Sequence, residues 1–176
     1  MNKKRTERGA AMIELLIAML ITAFGVLGFL NLQAQTALSQ VEGYQRSQAL
    51  ILISDISQRI ALNRENAAAY VGNDIGTTNA GDCSILLVRS ERDLCEWSLA
   101  LQGAAEVVGA AKLGAMIGAR GCITSPAPNQ YLISIVWQGV QATGAPVSTC
   151  GVGAYSNENV RRAVTSVAQI ATLAAL

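Results

Sequence analysis

The stretch RGAAMIELLIAMLITAFGVLGFLNLQ, from Arg8 to Gln33, decides the fold of this 176-residue chain. Between Ala10 and Leu30 its only charged residue is Glu14. A helix of that length is about 30 Å long, which is the thickness of the hydrocarbon core of a bilayer. We therefore expect a membrane-length helix, followed from about Asn31 by a globular part of ordinary composition.

A short basic leader precedes the apolar stretch. Its cations Lys3, Lys4, Arg5 and Arg8 outnumber the single acid, Glu7. Positive charge ahead of an apolar segment holds that end in the cytoplasm, so the remainder of the chain is translocated. The net charge of the chain is only +1, and no basic patch is interleaved with aromatic residues, so nothing indicates nucleic-acid binding.

Three interpretations of the N-terminus are open. A secretory signal peptide would be cut near Gly25, but apolar residues continue beyond that point. A permanent anchor explains the length but not Glu14, because a carboxylate costs roughly 2.5–3.5 kcal/mol at a helix centre and less near its end. In the third interpretation, cleavage after Gly9 frees the α-amine of Ala10. That amine can pair with Glu14 of a neighbouring chain and fix the axial register of packed helices.

The basic leader, Gly9 and the following AAMIELLIAML resemble the class III signal of type IV pilins and pseudopilins. The resemblance implies that a prepilin peptidase cleaves after Gly9 and N-methylates Ala10, and that Glu14 acts in filament assembly. Ala10 departs from the Phe or Met usual at that position. The predicted organisation is a cleaved leader over 1–9, a transmembrane or filament-core half-helix over 10–32, an amphipathic half-helix over 33–66 and a globular head over 67–176.

The later sequence predicts an α+β fold in which a long N-terminal helix precedes an antiparallel sheet. The helix is expected to run to about Asn66, because apolar residues recur at a helical period, namely Leu38, Val41, Ala49, Leu52, Ile56 and Ile60. A second helix is expected at 91–104. Strands are expected at 116–123, at 131–139 and at 160–176. Residues 71–82 read as a loop, and 125–129 and 142–146 as turns.

The histidine and cysteine content limits the possible chemistry. Because the chain has no histidine, it has neither a Ser-His-Asp or Cys-His relay nor a histidine-ligated metal. Its four cysteines, Cys83, Cys95, Cys122 and Cys150, contain no C-x-x-C and indicate two disulfides in an oxidising compartment. Of the three possible pairings we favour Cys83–Cys95 with Cys122–Cys150, which closes the shorter loops. No cofactor or metal is expected.

Further stretches are similar to the PilV family of minor pilins, the type IV pilus modification proteins. They are GVLGFLNLQ, QALILISDISQRIALNREN followed by Tyr70, ARGCI, YLISIVWQG and CGVGAYSNENVRRAV. The resemblance implies a type IV pilin-like fold, with the long helix packed on a C-terminal antiparallel sheet. It implies a non-catalytic subunit that helps prime pilus assembly at or near the tip, and so serves twitching motility and adhesion.

The implied partners are the prepilin peptidase, other minor pilins and the major pilin. Before assembly the chain would be a single-pass inner-membrane protein with its head in the periplasm; after assembly it would lie in the pilus at the cell surface. The alternative is a minor pseudopilin of a type II secretion system. A remote alternative is a membrane-anchored periplasmic enzyme. Its carboxylates would form an acid–base pair or bind Ca²⁺, although no D-x-D-x-D-G loop is present; they are Asp74, Asp82, Glu91, Asp93, Glu96, Glu106 and Glu158.

Two sets of side chains allow opposite interpretations. Asp55, Arg59, Asn63 and Arg64 could contact neighbouring subunits, but a solvated helix face is the preferred interpretation. Trp97 and Trp137 could be exposed adhesive aromatics, but their periodic placement favours core packing.

Overall fold

The computed structural model describes residues 7–103, 107–108, 111–112 and 116–171. Part of the predicted leader, Glu106 and the end of the last predicted strand lie outside these residues. The helices are α1 (Glu7–Leu62) and α2 (Arg89–Leu101). The strands are β1 (Gly72–Ile75), β2 (Val107–Val108), β3 (Ala111–Lys112), β4 (Arg120–Ala127), β5 (Gln130–Gln138) and β6 (Arg161–Gln169). The chain divides into two compact units, Met1–Val41 and Glu42–Leu176.

The second unit contains a four-stranded antiparallel sheet in the order β1-β4-β5-β6. β5 is its central strand. Ile133 pairs with Ile123 of β4, and Ile135 pairs with Val164 of β6. Alternate side chains of β5, beginning with Tyr131, point to the same face and are buried there, as the period of two requires. β2 and β3 form a separate two-stranded pair.

The core lies between this sheet, α2 and the C-terminal part of α1. Ala49, Ile53, Ile56 and Ile60 of α1 are buried at spacings of three and four residues, which keeps them on one helix face. Trp97 and Leu101 of α2 pack into the same cluster, as does Trp137 of β5. The α+β fold, a long N-terminal helix packed on a four-stranded antiparallel sheet, is confirmed. Both tryptophans are core residues, as their spacing indicated.

α1 ends at Leu62, four residues before the predicted end, and a 3-10 segment follows over Arg64–Tyr70. The cause is local competition for hydrogen bonds. The side-chain amide of Asn63 donates to the Tyr70 hydroxyl, and that of Asn66 donates to the side-chain oxygen of Asn63. Asparagine side chains that bond nearby groups in this way offer an alternative to the helical backbone pattern.

The predicted loop at 71–82 is wrong in its first part, because Gly72–Ile75 forms the edge strand β1. This segment has low β-propensity, and its pairing with β4 is irregular between Gly72 and Ile75. Asp74 adopts a positive φ of 54° there, and its carboxylate accepts a hydrogen bond from Arg120 at 3.2 Å. Contacts distant in sequence, not local propensity, create this strand.

Two other predicted boundaries around β4 need correction. The strand begins at Arg120 and not at Met116, because Gly118 turns the chain with a positive φ of 59°. It continues through most of the predicted 125–129 turn to Ala127. A tight hairpin then forms at Pro128 and Asn129, where Asn129 has a φ of 60°. The last predicted strand is confirmed over Arg161–Gln169.

Both disulfides are present, in the favoured pairing. Cys83 is bonded to Cys95 and Cys122 to Cys150, with Cα–Cα distances of 5.6 and 5.9 Å. The first bond attaches a short 3-10 turn, Cys83–Ile85, to α2. The second attaches the segment after β5 to the sheet face opposite α2, where Val136 is fully buried. Such bonds stabilise small domains by typically about 2–4 kcal/mol each.

Candidate functional site

The candidate functional site is the N-terminal part of α1, where the chain presents an apolar surface that it does not cover itself. Every residue from 11 to 37 is exposed. Large side chains such as Met12, Phe24 and Leu32 are 69%, 66% and 65% exposed. Among the described residues, α1 is the one helix long and apolar enough to cross a membrane, with a window of mean hydropathy 2.4. The segment therefore has the length and composition of a membrane anchor or signal.

The polar side chains within this apolar part differ in how they are satisfied. The hydroxyl of Thr22 donates to the carbonyl of Ala18 at 2.8 Å, so it presents no unpaired donor to an apolar environment. Glu14 is exposed and makes no hydrogen bond or ion pair with any residue that the structure describes. An ionised carboxylate in an apolar medium is costly unless a counter-charge pairs with it. The described residues supply no such partner to Glu14.

Gly9 and Ala10 belong to α1, and their side-chain surroundings lie outside the described residues. Four residues separate Ala10 from Glu14, which is one helical turn and about 6 Å along the axis. The carboxylate of one helix would thus meet the α-amine of another that is displaced by about one turn. Cleavage after Gly9, N-methylation of Ala10 and the role of Glu14 stay predictions.

Small residues continue the face on which Glu14 lies. Ala18, Thr22 and Gly25 follow it at steps of four, four and three positions, which share one side of a helix. A Cβ added at Gly25 or at Gly28 would meet nothing within 4 Å. These glycines therefore serve no packing contact within the described chain, and close approach to a second helix is the packing role left to them.

In the second unit, an ionic network joins α1 to α2 that sequence reasoning missed. Arg59 donates to Asp55 at 3.0 Å, to Asp93 at 3.1 Å and to Glu96 at 2.5 Å. Asp93 also accepts a hydrogen bond from the hydroxyl of Tyr70. Burial, followed by this hydrogen bond to Asp93, raises the pKa of Tyr70 to about 12. The solvated-face interpretation is therefore wrong for Arg59, which is 27% exposed and paired within its own chain.

A second polar contact spans a long stretch of sequence. Glu42 of α1 accepts two hydrogen bonds from Arg162 of β6, both at 3.0 Å, and one from the backbone N–H of Val140 at 3.0 Å. The hydrogen bond from Arg162 is the main reason that the pKa of Glu42 lies below its ordinary value. Gly139 makes room for this guanidinium, because an added Cβ would lie 2.8 Å from its central carbon.

Arg161 makes a comparable set of hydrogen bonds on the opposite face of the sheet. It is 3% exposed and donates to the carbonyls of Ser148 and Cys150 at 2.7 and 3.0 Å, and to Glu158 at 2.6 Å. The guanidinium thus fixes the segment that carries the second disulfide. The hydrogen bond from the Gly153 N–H, followed by that from Arg161, lowers the pKa of Glu158.

Two of the carboxylates considered for acid–base or Ca²⁺ chemistry, Asp93 and Glu96, meet in the described part of the chain, where both accept hydrogen bonds from Arg59. Asp74 pairs with Arg120, Asp82 accepts from Ser84, and the remaining head contacts are the arginine pairs given above. No group of three or more acidic or cysteine side chains that could hold a metal ion occurs among the described residues. Their arrangement is that of structural ion pairs.

Comparison with protein-family models, with curated proteins and with solved structures finds no match to this chain.

Proposed function

We propose that this chain is a minor pilin of a Gram-negative type IV pilus, which helps prime assembly within a minor-pilin complex at or near the filament tip. The observation that carries the proposal is an uncovered apolar segment of helix in which Glu14, five positions after Gly9, has no partner among the residues that the structure describes. The resemblance of the leader to a class III signal and of later stretches to the PilV family supports it.

The same helix surface would serve two environments in succession. In the inner membrane, lipid covers the segment while the basic leader keeps its N-terminus in the cytoplasm and the head lies in the periplasm. In a filament, the apolar helices of neighbouring subunits replace the lipid. Both surroundings are apolar, so Glu14 gains most when the freed α-amine of a neighbour's Ala10 becomes available as its counter-charge.

The head would supply the contacts that distinguish this subunit from the major pilin. Its two disulfides suit the oxidising periplasm and the cell exterior, where glutathione and thioredoxin do not reduce them. The chain would perform no catalysis. Its partners would be the prepilin peptidase, other minor pilins and the major pilin, and its loss would reduce twitching motility and adhesion through loss of pili.

Complementation of a deletion strain tests this function. Surface pili are counted after expression of the wild-type chain, of Glu14→Ala and of the control Glu65→Ala. Glu65 is also an exposed carboxylate without an ion pair among the described residues, but it lies in the 3-10 segment after α1, outside the apolar part of that helix. We expect the wild type and Glu65→Ala to restore piliation and Glu14→Ala to fail. Equal piliation in all three strains would refute the assembly role of Glu14.

A secretion readout in the same strains separates the pilus from the secretion system. A minor pseudopilin would leave pili intact on deletion and would retain secreted enzymes in the periplasm. We expect the opposite, with normal secretion and few surface pili. A deletion strain with normal pili and normal secretion would contradict both the pilus function and the secretion function.

A further inference from the structure

The turn between the two halves of the first disulfide exposes an unusual run of aliphatic residues. In the sequence CSILLVRS, Ile85, Leu87 and Val88 are 71%, 96% and 53% exposed. Single exposed aliphatic residues are ordinary on protein surfaces, whereas a contiguous apolar patch marks an interaction site. We call residues Ile85–Val88 the apolar turn.

The apolar turn is held in this exposed conformation by contacts on both sides. Cys83 is bonded to Cys95 of α2, and Asp82 accepts hydrogen bonds from the backbone and hydroxyl of Ser84 at 2.9 and 2.7 Å. On the other side, the N–H of Arg92 bonds the carbonyl of Val88 at 3.0 Å, where α2 begins. A surface ordered before binding pays little conformational entropy when it docks, which favours specific protein recognition.

Two cations with spare hydrogen-bond donors adjoin the apolar turn. The side chain of Arg89 is 51% exposed, and its one ion pair with a described residue, Asp93, is long at 3.8 Å. Arg92 is exposed and has no hydrogen bond from its guanidinium to any described residue. The two are three positions apart and share a helix side, while Glu91 is turned about 100° from Arg92. Exposed guanidinium groups with unsatisfied donors pair best with carboxylates, in bidentate geometry.

We propose that the apolar turn docks into an apolar pocket on a partner protein whose rim carries carboxylates that pair with Arg89 and Arg92. An apolar centre bordered by charged residues is the usual anatomy of a protein interface. A flat anionic membrane surface fits less well, because it would approach the acids Asp82 and Glu91 together with the two cations, whereas single carboxylates on a protein rim can pair with each guanidinium. This inference does not depend on the pilus assignment, since it rests on the head alone.

Photo-crosslinking of the full chain in the native bacterium tests the inference. p-Benzoylphenylalanine replaces Leu87 in one strain and Val147 in the control strain. Val147 is 100% exposed and lies on another segment of the head. After irradiation, mass spectrometry identifies the cross-linked peptide. We expect position 87 to give one dominant protein adduct, on an apolar peptide with adjacent Asp or Glu, that position 147 does not give.

Charge variants then test the predicted rim. Arg89→Gln with Arg92→Gln adds no repulsion, and should lower the yield of the adduct at position 87 by at least about tenfold, the factor that ~1.4 kcal/mol produces. Arg64→Gln is the control, because Arg64 is another exposed arginine without an ion pair among the described residues. Arg89→Glu with Arg92→Glu should also abolish the adduct, and replacement of the identified carboxylates by Arg should restore it.

Several results would overturn the proposal. They are adducts only to lipid, no adduct at position 87, the same adduct from position 147, or a yield that the arginine variants leave unchanged. A loss of pili in the Glu14→Ala strain has no bearing on these results, so failure of the docking proposal and failure of the proposed function are observed separately.

Discussion

Replacement of Gly121 by alanine should destabilise the head severely, because the indole of Trp97 occupies the space that the new methyl group needs. The added Cβ would overlap Cη2 and Cζ3 of Trp97 and lie 3.0 Å from Cδ1 of Leu101. Trp97 cannot move aside cheaply. It is fully buried, and its Nε1 donates to the carbonyl of Leu52 at 3.0 Å.

The magnitude follows from two costs. Overpacking of a core typically costs about 1–3 kcal/mol. Displacement of the indole also leaves a buried donor and acceptor unpaired, at about 1–3 kcal/mol. We therefore expect Gly121→Ala to lower the free energy of unfolding by about 2–5 kcal/mol. At about 2–4 °C per kcal/mol for chains of this size, Tm should fall by at least about 4 °C.

Thermal unfolding of the detergent-solubilised full chain, followed by near-ultraviolet circular dichroism, measures this change. Gly144→Ala is the matched control, because a Cβ there meets nothing within 4 Å and φ is not positive. Its Tm should stay within about 2 °C of the wild type, since surface substitutions usually change stability by less than about 0.5 kcal/mol.

A Trp97→Phe background tests whether the clash with the indole causes the destabilisation. Phenylalanine lacks the outer indole atoms that collide with the new Cβ, so Gly121→Ala should cost less in a Trp97→Phe chain than in the wild type. Equal Tm values for Gly121→Ala and Gly144→Ala, or the same cost of Gly121→Ala in both backgrounds, would refute the packing described for Trp97.

Three further predictions concern the polar contacts of the head, each measured as Tm of the full chain. Asp93→Asn should cost about 1.5–3 kcal/mol, the usual worth of hydrogen bonds to a charged group, whereas the exposed Glu91→Gln should cost less than about 0.5 kcal/mol. The pKa of Tyr70 is raised to about 12, so the stability that its protonated hydroxyl contributes is complete below about pH 10 and is lost as pH rises toward 12. Tyr70→Phe should therefore reduce the decrease of Tm at alkaline pH. Because Arg162 lowers the pKa of Glu42, the stability that ionised Glu42 contributes is complete above about pH 4.3 and is lost as pH falls through the lowered pKa. Glu42→Gln should therefore reduce the decrease of Tm at acid pH. For either variant, a pH profile of Tm parallel to that of the wild type would contradict the prediction.

The sequence predicts the elements whose pattern is local and strong. α1 follows from the absence of proline before Pro126 and from the spacing of Ile56 and Ile60, and β5 follows from strict alternation. The disulfide pairing follows from loop length once the compartment is assumed. These signals depend on a few neighbouring residues, so a single sequence reveals them.

Features that depend on contacts between residues far apart in the sequence cannot be predicted from local sequence patterns. β1 is a strand only because β4 pairs with it, since Gly-Asn-Asp-Ile has little strand propensity of its own. Asp93 reads as an exposed acid near the start of a helix, yet it is buried, because Arg59 in the last turn of α1 and Tyr70 of the following 3-10 segment contact it. The spacing of Asp55 and Arg59, four positions apart, was the one local signal of that network.

The predicted N-terminal site is visible in the sequence, but the partner of Glu14 is not. Glu14 stands out in the sequence because a lone carboxylate in an apolar run is costly. The structure of one chain places it on an uncovered helix but cannot contain the group that neutralises it, since on this account the group belongs to another chain.

Mass spectrometry of the N-terminal peptide of the membrane-extracted protein tests the central claim most directly. We expect a chain that begins at N-methylated Ala10, with the leader removed after Gly9. A chain that begins at Met1 would be a plain anchor, and one that begins at Val26 would be a released protein. Either result would contradict the assignment to the type IV pilins and would leave Glu14 without its partner.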